Sequence, residues 1–228
     1  RHGRLHQGAG RVVYRAAMVR IVVAFIVLLA AAPCCAGEPP NIILIVADDL
    51  GWTDPACMGS DYHRTPAIDR LARDGMVFTD AYSNAPNCAP SRAAIVSGMY
   101  APRTGVYTVG TPDRGKSKDR RLISVPNSLT LAPDVVTIAE RLESAGYDPG
   151  FVGKWHLGID DSGPLAQGFD VNVGGNKAGA PRSYTSPYRN PNLQDGPEGE
   201  FLTERLTTEA ISFVSAERER PYFLMLSY

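Results

Sequence analysis

Asn41-Ile42-Ile43-Leu44-Ile45-Val46-Ala47 is a continuous apolar, largely β-branched run without polar alternation, and it ends in Asp48-Asp49. A run of that kind is expected as a strand covered on both faces, inside a parallel sheet with helices on either side. Carboxylates at its carboxyl end fall where open α/β sheets bind ligands. Two adjacent aspartates cannot both stay ionised cheaply unless a cation joins them. All-oxygen ligation would then select a hard ion such as Ca2+ or Mg2+. A solvated turn or a helix cap is the alternative reading of the pair.

The rest of the chain supplies further elements of the same class. Thr65-Pro66 reads as the cap of a helix over 67–74, with Gly75 as its stop. Met76 to Tyr82 reads as a second strand leading into a helix that starts at Cys88. Tyr100 to Asp134 is rich in Pro, Gly, Arg and Lys and reads as a long surface excursion. Asp134 is the expected cap of a helix over 135–145, terminated by Gly146. Phe151 to Gly158 reads as a short strand running into a tight turn, and Asp161 to Gly199 as loop laid over the site. A helix from Leu202 to Ala216 and a strand from Tyr222 to Tyr228 follow. Strands alternating with helices predict an α/β fold with a mostly parallel central sheet flanked by helices, and no internal repeat is evident.

Asn87-Cys88-Ala89-Pro90-Ser91-Arg92 places a thiol at the start of a helix. Pro90 suits the first turn, where its fixed φ fits and its missing N–H costs nothing. Free N–H groups and the positive end of the dipole favour an anion at Cys88. Arg92 lies one turn up on the same face and can reach back toward it. Farther on, Gly153-Lys154-Trp155-His156-Leu157-Gly158 carries a lysine and a histidine two positions apart. If that segment is extended, both point to the same side. Each of Arg92, Lys154 and His156 alone would read as an ordinary helix-surface or loop residue.

The formal charge of −1 conceals an uneven distribution, because Arg1, Arg4, Arg11, Arg15 and Arg20 cluster at the N-terminus. From residue 21 onward 18 basic residues face 24 acidic ones. A mildly acidic body argues against nonspecific nucleic-acid binding. Met18-Val19-Arg20, an apolar run over 21–32, and the small residues of Pro33-Cys34-Cys35-Ala36-Gly37 read as a signal peptide over 18–36. Residues 1–17 then read as upstream read-through, and no membrane association is expected once the signal is cleaved; a membrane-anchoring segment is the alternative. Cleavage would leave Cys57 and Cys88 in an oxidising compartment, where a disulfide between them is the plain expectation.

Three stretches resemble, in order, the signature of the type I sulfatases: the Asn41–Trp52 segment with its aspartates, Cys88-Ala-Pro-Ser-Arg92 with the helix after it, and Gly153 to Gly158. The resemblance covers roughly residues 40–228 and implies an alkaline phosphatase/sulfatase-like fold. It implies a sulfuric ester hydrolase in which a formylglycine-generating enzyme oxidises Cys88. Asp48, Asp49 and the converted Cys88 would bind the metal, Ca2+ or, as an alternative, Mg2+. Catalysis would involve Cys88, Arg92, Lys154 and His156, with Lys154 and His156 also binding the sulfate. One hydroxyl of the hydrated aldehyde would attack sulfur, and deprotonation of the other would expel sulfate.

The implied setting is an exported enzyme acting on a sulfated small molecule or polysaccharide. Loss of Cys88 to formylglycine and its pairing with Cys57 exclude each other. Further ligands and a second histidine and lysine come from later segments in this family, so residues 37–228 read as the amino-terminal part of a catalytic domain, incomplete at the carboxyl end. Two other readings remain open: a phosphatase or phosphonate monoester hydrolase of the same superfamily, and a non-catalytic fragment.

Overall fold

A computed structural model describes residues 38–228. The expected read-through and signal segments, residues 1–17 and 18–36, lie outside the described residues. Among the described residues, no helix is long and apolar enough to cross a membrane. The elements are β1 (Ile42–Val46), α1 (Pro66–Asp74), α2 (Cys88–Ser97), α3 (Ala101–Thr104), α4 (Ile138–Ser144), β2 (Asp148–Gly153), β3 (Val171–Val173), α5 (Leu202–Ser215) and β4 (Tyr222–Ser227).

The four strands form one parallel sheet in the order β1-β4-β2-β3. β4 is therefore central although it comes last, with Val46 and Gly153 both in register with Ser227. Its side chains alternate between two cores, as the period of a strand requires. Phe223 and Met225 join Ala89, Ala93 and Val96 of α2, and Ala139 of α4, on one face. Leu224 and Leu226 join Leu206 and Ala210 of α5 on the other. Gly150 of β2 lets α5 come close, because a Cβ there would meet the Phe213 ring at 2.4 Å.

β1 departs from expectation. Ile42, Leu44 and Val46 pack on the first core, but Ile43 and Ile45 are 50% and 55% exposed. The run is continuous in sequence, yet β1 lies at the sheet edge and its second face meets no helix among the described residues. Burial on both faces belongs instead to β4 and β2, where five of six residues in each strand are buried.

Local chemistry explains the other corrections. α4 starts at Ile138 rather than Val135, because Thr137 and Glu140 form a reciprocal capping box that Asp134 cannot match. In it Glu140 N–H donates to Thr137 Oγ1 at 3.3 Å, and Thr137 N–H donates to Glu140 Oε2 at 2.6 Å. Thr65 does precede α1, but its hydroxyl is engaged by Asp69 and by the Ala56 N–H instead of the helix N-terminus. Met76 to Tyr82 forms no strand, since no neighbouring strand pairs with it, and Met76 and Phe78 are exposed. Inside the loop expected over 161–199, Val171–Val173 pairs with Gly150–Val152. The Phe151–Gly158 strand is displaced to 148–153 and stops at Gly153, whose φ of 107° breaks the extended run.

Candidate active site

The parallel sheet brings the carboxyl ends of β1, β4 and β2 side by side, and the residues that follow them meet there. Lys154 N–H donates to Ser227 O at 2.8 Å, so the lysine starts directly against the end of β4. That approach requires Gly153, because a Cβ there would lie 1.9 Å from Ser227 O. The Lys154 ammonium is ion-paired and hydrogen-bonded to Asp48 Oδ2. Asp48, Asp49, Lys154 and Ser227 all line a cavity of about 1030 Å³. Asp49 itself sits at φ 55°, in a tight turn that redirects the chain after the strand.

Arg92 enters the same junction from α2. Asn87 caps the helix in an extended conformation, and its side-chain amide donates to Thr108 Oγ1 at 2.8 Å. The helix packs through Ala89, Ala93 and Val96, which buries Arg92 to 2% exposure. Its Nη1 donates to Lys154 O and to Ser227 Oγ, and its Nη2 lies 3.5 Å from Asp48 Oδ2. Burial pulls the Arg92 pKa down, while Asp48 and Cys88 pull it back up. Nε and Nη2 of this buried guanidinium have no hydrogen-bond partner. Unpaired donors of a buried cation are costly, and Arg92 stands behind the cavity lining rather than in it.

His156 is placed differently from the extended arrangement expected. Its φ is 63°, and its backbone N–H donates to Asn176 O at 2.9 Å, so the chain turns after Lys154. The imidazole lies against Gly179, where a Cβ would come within 2.5 Å of the ring. Its Nδ1 is buried without a partner. Burial, and the nearby charges of Lys154 and Arg92, hold its pKa below the ordinary 6.5 against the opposing pull of Asp48. A neutral imidazole can accept or pass a proton.

Cys88 is half-buried at the first position of α2, and Cys57 is exposed. Both thiols are free, which removes the expected disulfide. Asp48 and Asp49 are oxygen donors of the kind a hard cation takes, and the Lys154 ammonium already stands as a cation against Asp48. No third His, Cys, Asp or Glu joins them among the described residues, so they fit part of a metal shell.

One contributor is not marked in the sequence pattern. Ser227 looked like the tail of an apolar strand, yet it is fully buried and holds Arg92. The loop over 174–195, inside the stretch expected to lie over the site, supplies much of the cavity wall, whereas no residue of the 100–134 excursion lines it. The density of asparagines at 172, 176, 190 and 192 was the available signal for a built loop.

Residues 40–228 match the family model described as Sulfatase. Mouse (Mus musculus) N-acetylgalactosamine-6-sulfatase is 34% identical over 208 residues, covering 80% of this chain and 38% of that protein. The solved structure of Ps i-CgsB in complex with k-i-k-neocarrahexaose superposes with a TM-score of 0.67 at 32% identity, over 84% of this chain and 45% of that one. The structure of BT4656 in complex with its substrate D-glucosamine-2-N,6-O-disulfate gives a TM-score of 0.60 at 25% identity, over 83% and 34%. The chain spans 38% of the length of the mouse enzyme and less than half of each of these two structures. With the family match running from β1 through β4, the chain belongs to the sulfatase family.

Proposed function

We propose that these residues form the amino-terminal part of the catalytic domain of an exported sulfuric ester hydrolase acting on sulfated carbohydrates or small molecules. The observation that carries this reading is the strand-end junction at which buried Arg92 and Lys154 both meet Asp48, with His156 close enough that the charges of Lys154 and Arg92 lower its pKa. Arg92 and Lys154 are cationic, and Lys154 lines the cavity, which suits a sulfuryl group whose charge spreads over its oxygens. The sulfated ligand named with BT4656 supports the substrate class.

Each residue has a role in this reading. Arg92 fixes the group at position 88 and one oxyanion oxygen. Lys154 neutralises charge that develops on the sulfuryl oxygens. His156 would take the proton of the remaining hydroxyl at position 88 as the C–O bond to the sulfate breaks and the aldehyde re-forms. Formylglycine made from Cys88 by a formylglycine-generating enzyme would supply the nucleophile and its own means of expelling sulfate. Asp48 and Asp49 would contribute to holding Ca2+ or Mg2+, which would supply charge stabilisation at the oxygens, whereas Cys88, the third ligand that the resemblance implies, is not grouped with them among the described residues.

The test compares release of inorganic sulfate from an aryl sulfate with release of phosphate from the matching aryl phosphate, using the protein expressed with and without a formylglycine-generating enzyme. Sulfate release that depends on that enzyme, with the sulfur loss at Cys88 seen by peptide mass, is the expected result. A large preference for phosphate would move the protein to the phosphatase or phosphonate hydrolase reading. Loss of both activities in every preparation would leave a non-catalytic fragment.

A further inference from the structure

The cavity that begins at the strand ends is larger than one sulfate group needs. Its volume of about 1030 Å³ stands at the upper end of the range for small-molecule pockets, roughly 300–1,000 Å³. Much of its wall is the loop over 174–195, and that loop carries three exposed cations into the lining: Lys177, Arg182 and Arg189. None of the three pairs with a carboxylate among the described residues. The loop contributes one carboxylate to the lining, Asp195, whose Oδ1 already accepts the Tyr188 N–H at 2.6 Å. The loop side of the cavity therefore presents an excess of positive charge, separate from the Arg92–Lys154–Asp48 junction.

This wall is held in place by its own hydrogen bonds. Gly174 N–H donates to Asn192 O at 2.6 Å, and the Asn190 amide donates back to Gly174 O at 2.9 Å. Asn176 Nδ2 donates to Asn190 Oδ1 at 3.1 Å, and Asn192 Nδ2 donates to Gly175 O at 2.6 Å. The two limbs of the loop are thus joined near their base, and the His156 N–H to Asn176 O bond at 2.9 Å fastens them to the strand-end junction. Tyr188, fully buried between Arg182 and Arg189 in sequence, donates its hydroxyl to Glu200 Oε2 at 2.9 Å. A frame fixed before the ligand arrives lowers the ordering cost of binding.

We infer that Lys177, Arg182 and Arg189 form a second anion subsite that engages another anionic group of the same carbohydrate, a sulfate or a carboxylate, while the reacting sulfate occupies the Arg92–Lys154–His156 junction. The inference rests on the sulfatase reading of that junction. It makes the loop a selectivity element: multiply charged carbohydrates are preferred over singly sulfated ones.

Calorimetric titration of the full chain with three sugars tests this. N-acetylglucosamine 6-sulfate carries one anion, D-glucosamine-2-N,6-O-disulfate carries a second sulfate group, and N-acetylglucosamine 6-sulfate linked to glucuronate carries a carboxylate instead. Two or three solvent-facing ion pairs combine to about tenfold tighter binding of at least one doubly charged sugar, and which one binds tighter identifies the second group. The preference should shrink when NaCl is raised from about 50 mM to about 500 mM, because the contacts are exposed and screened. In the triple variant Lys177→Gln, Arg182→Gln, Arg189→Gln the ratio of affinities should fall to within about twofold of unity. These side chains are exposed, and an unchanged circular dichroism spectrum confirms that the variant is folded. Equal affinity for all three sugars, or a preference that survives the triple variant, would overturn the subsite alone. Absence of binding by every sugar would overturn the sulfatase reading of the junction together with it.

Discussion

Arg92 of α2 donates through Nη1 to the hydroxyl of Ser227 at the end of β4, across 135 positions of sequence. The bond is buried and ties the helix that starts at Cys88 to the central strand. Ser227→Ala removes one of the two Nη1 acceptors and leaves Lys154 O as the other. The expected cost is about 1–3 kcal/mol of folding stability, the range for a buried donor losing its partner. Urea unfolding followed by tryptophan fluorescence measures it, and an unchanged midpoint would show that the guanidinium has another acceptor.

Asp48 is the only carboxylate paired with Arg92 among the described residues, and it also takes the Lys154 ammonium. Asp48→Asn keeps the shape and removes the countercharge from a guanidinium that is almost fully buried. Breaking such a pair costs about 3–5 kcal/mol when both partners are buried, and less here because Asp48 is partly exposed. A thermal melt should show a lower Tm for Asp48→Asn than for an equivalent change at the exposed Asp161.

Gly153 combines a φ of 107° with a close approach to Ser227 O. Gly153→Ala adds backbone strain of about 1–3 kcal/mol, and its methyl group also forces β2 away from β4. The variant is expected to be mostly insoluble, or to melt well below the parent in a thermal scan.

Gly179 presents the opposite case, since its φ is not left-handed and the three atoms nearest to a Cβ there all belong to the His156 ring. Gly179→Ala should leave the fold intact and displace the imidazole. In the role proposed for His156, misplacement of the ring costs about 10- to 100-fold in rate. The expected signature is a loss in kcat of that order with an unchanged melting temperature, measured on the modified enzyme.

The depressed pKa of His156 gives stability a sign in pH. Between the ordinary value of 6.5 and the lower folded value, the unfolded chain binds a proton that the folded chain does not. Stability therefore falls as pH drops through 6.5 and stops falling on this account below the folded pKa. Denaturant midpoints from pH 7.5 to pH 5 should decline more for the parent than for His156→Gln. Parallel declines would show that the histidine contributes nothing to the pH dependence.

Local chemistry was readable in the sequence. The apolar runs of β1 and β4, the start of α2 at Cys88, and the stop at Gly146 all follow from side-chain type and spacing. The aspartates at the end of β1 and the Lys154–His156 pair were likewise visible, and the structure places Asp48, Arg92 and Lys154 in one junction. Long-range pairing was not visible. A continuous Ile-rich run does not reveal that β1 sits at an edge with Ile43 and Ile45 outward, because its neighbours are chosen by segments far along the chain. The role of Ser227 and the φ of His156 depend on the same distant contacts. Capping is local, but Thr137 and Asp134 compete for one helix, and only the Glu140 partner decides between them.

The position of β4 also dictates an order of events during synthesis. β1 meets no other strand among the described residues, and the Tyr222 N–H that reaches back to Asn41 lies 181 positions later. Until that late segment leaves the ribosome, β1 and β2 are without their shared neighbour, and Ile-rich backbone has unpaired edges to offer to other chains. Loop closure over such a span is slow, and nascent chains waiting in this state are prone to aggregate. Production should therefore depend on temperature and on chaperones that mask β1 more than on the stability of the finished sheet.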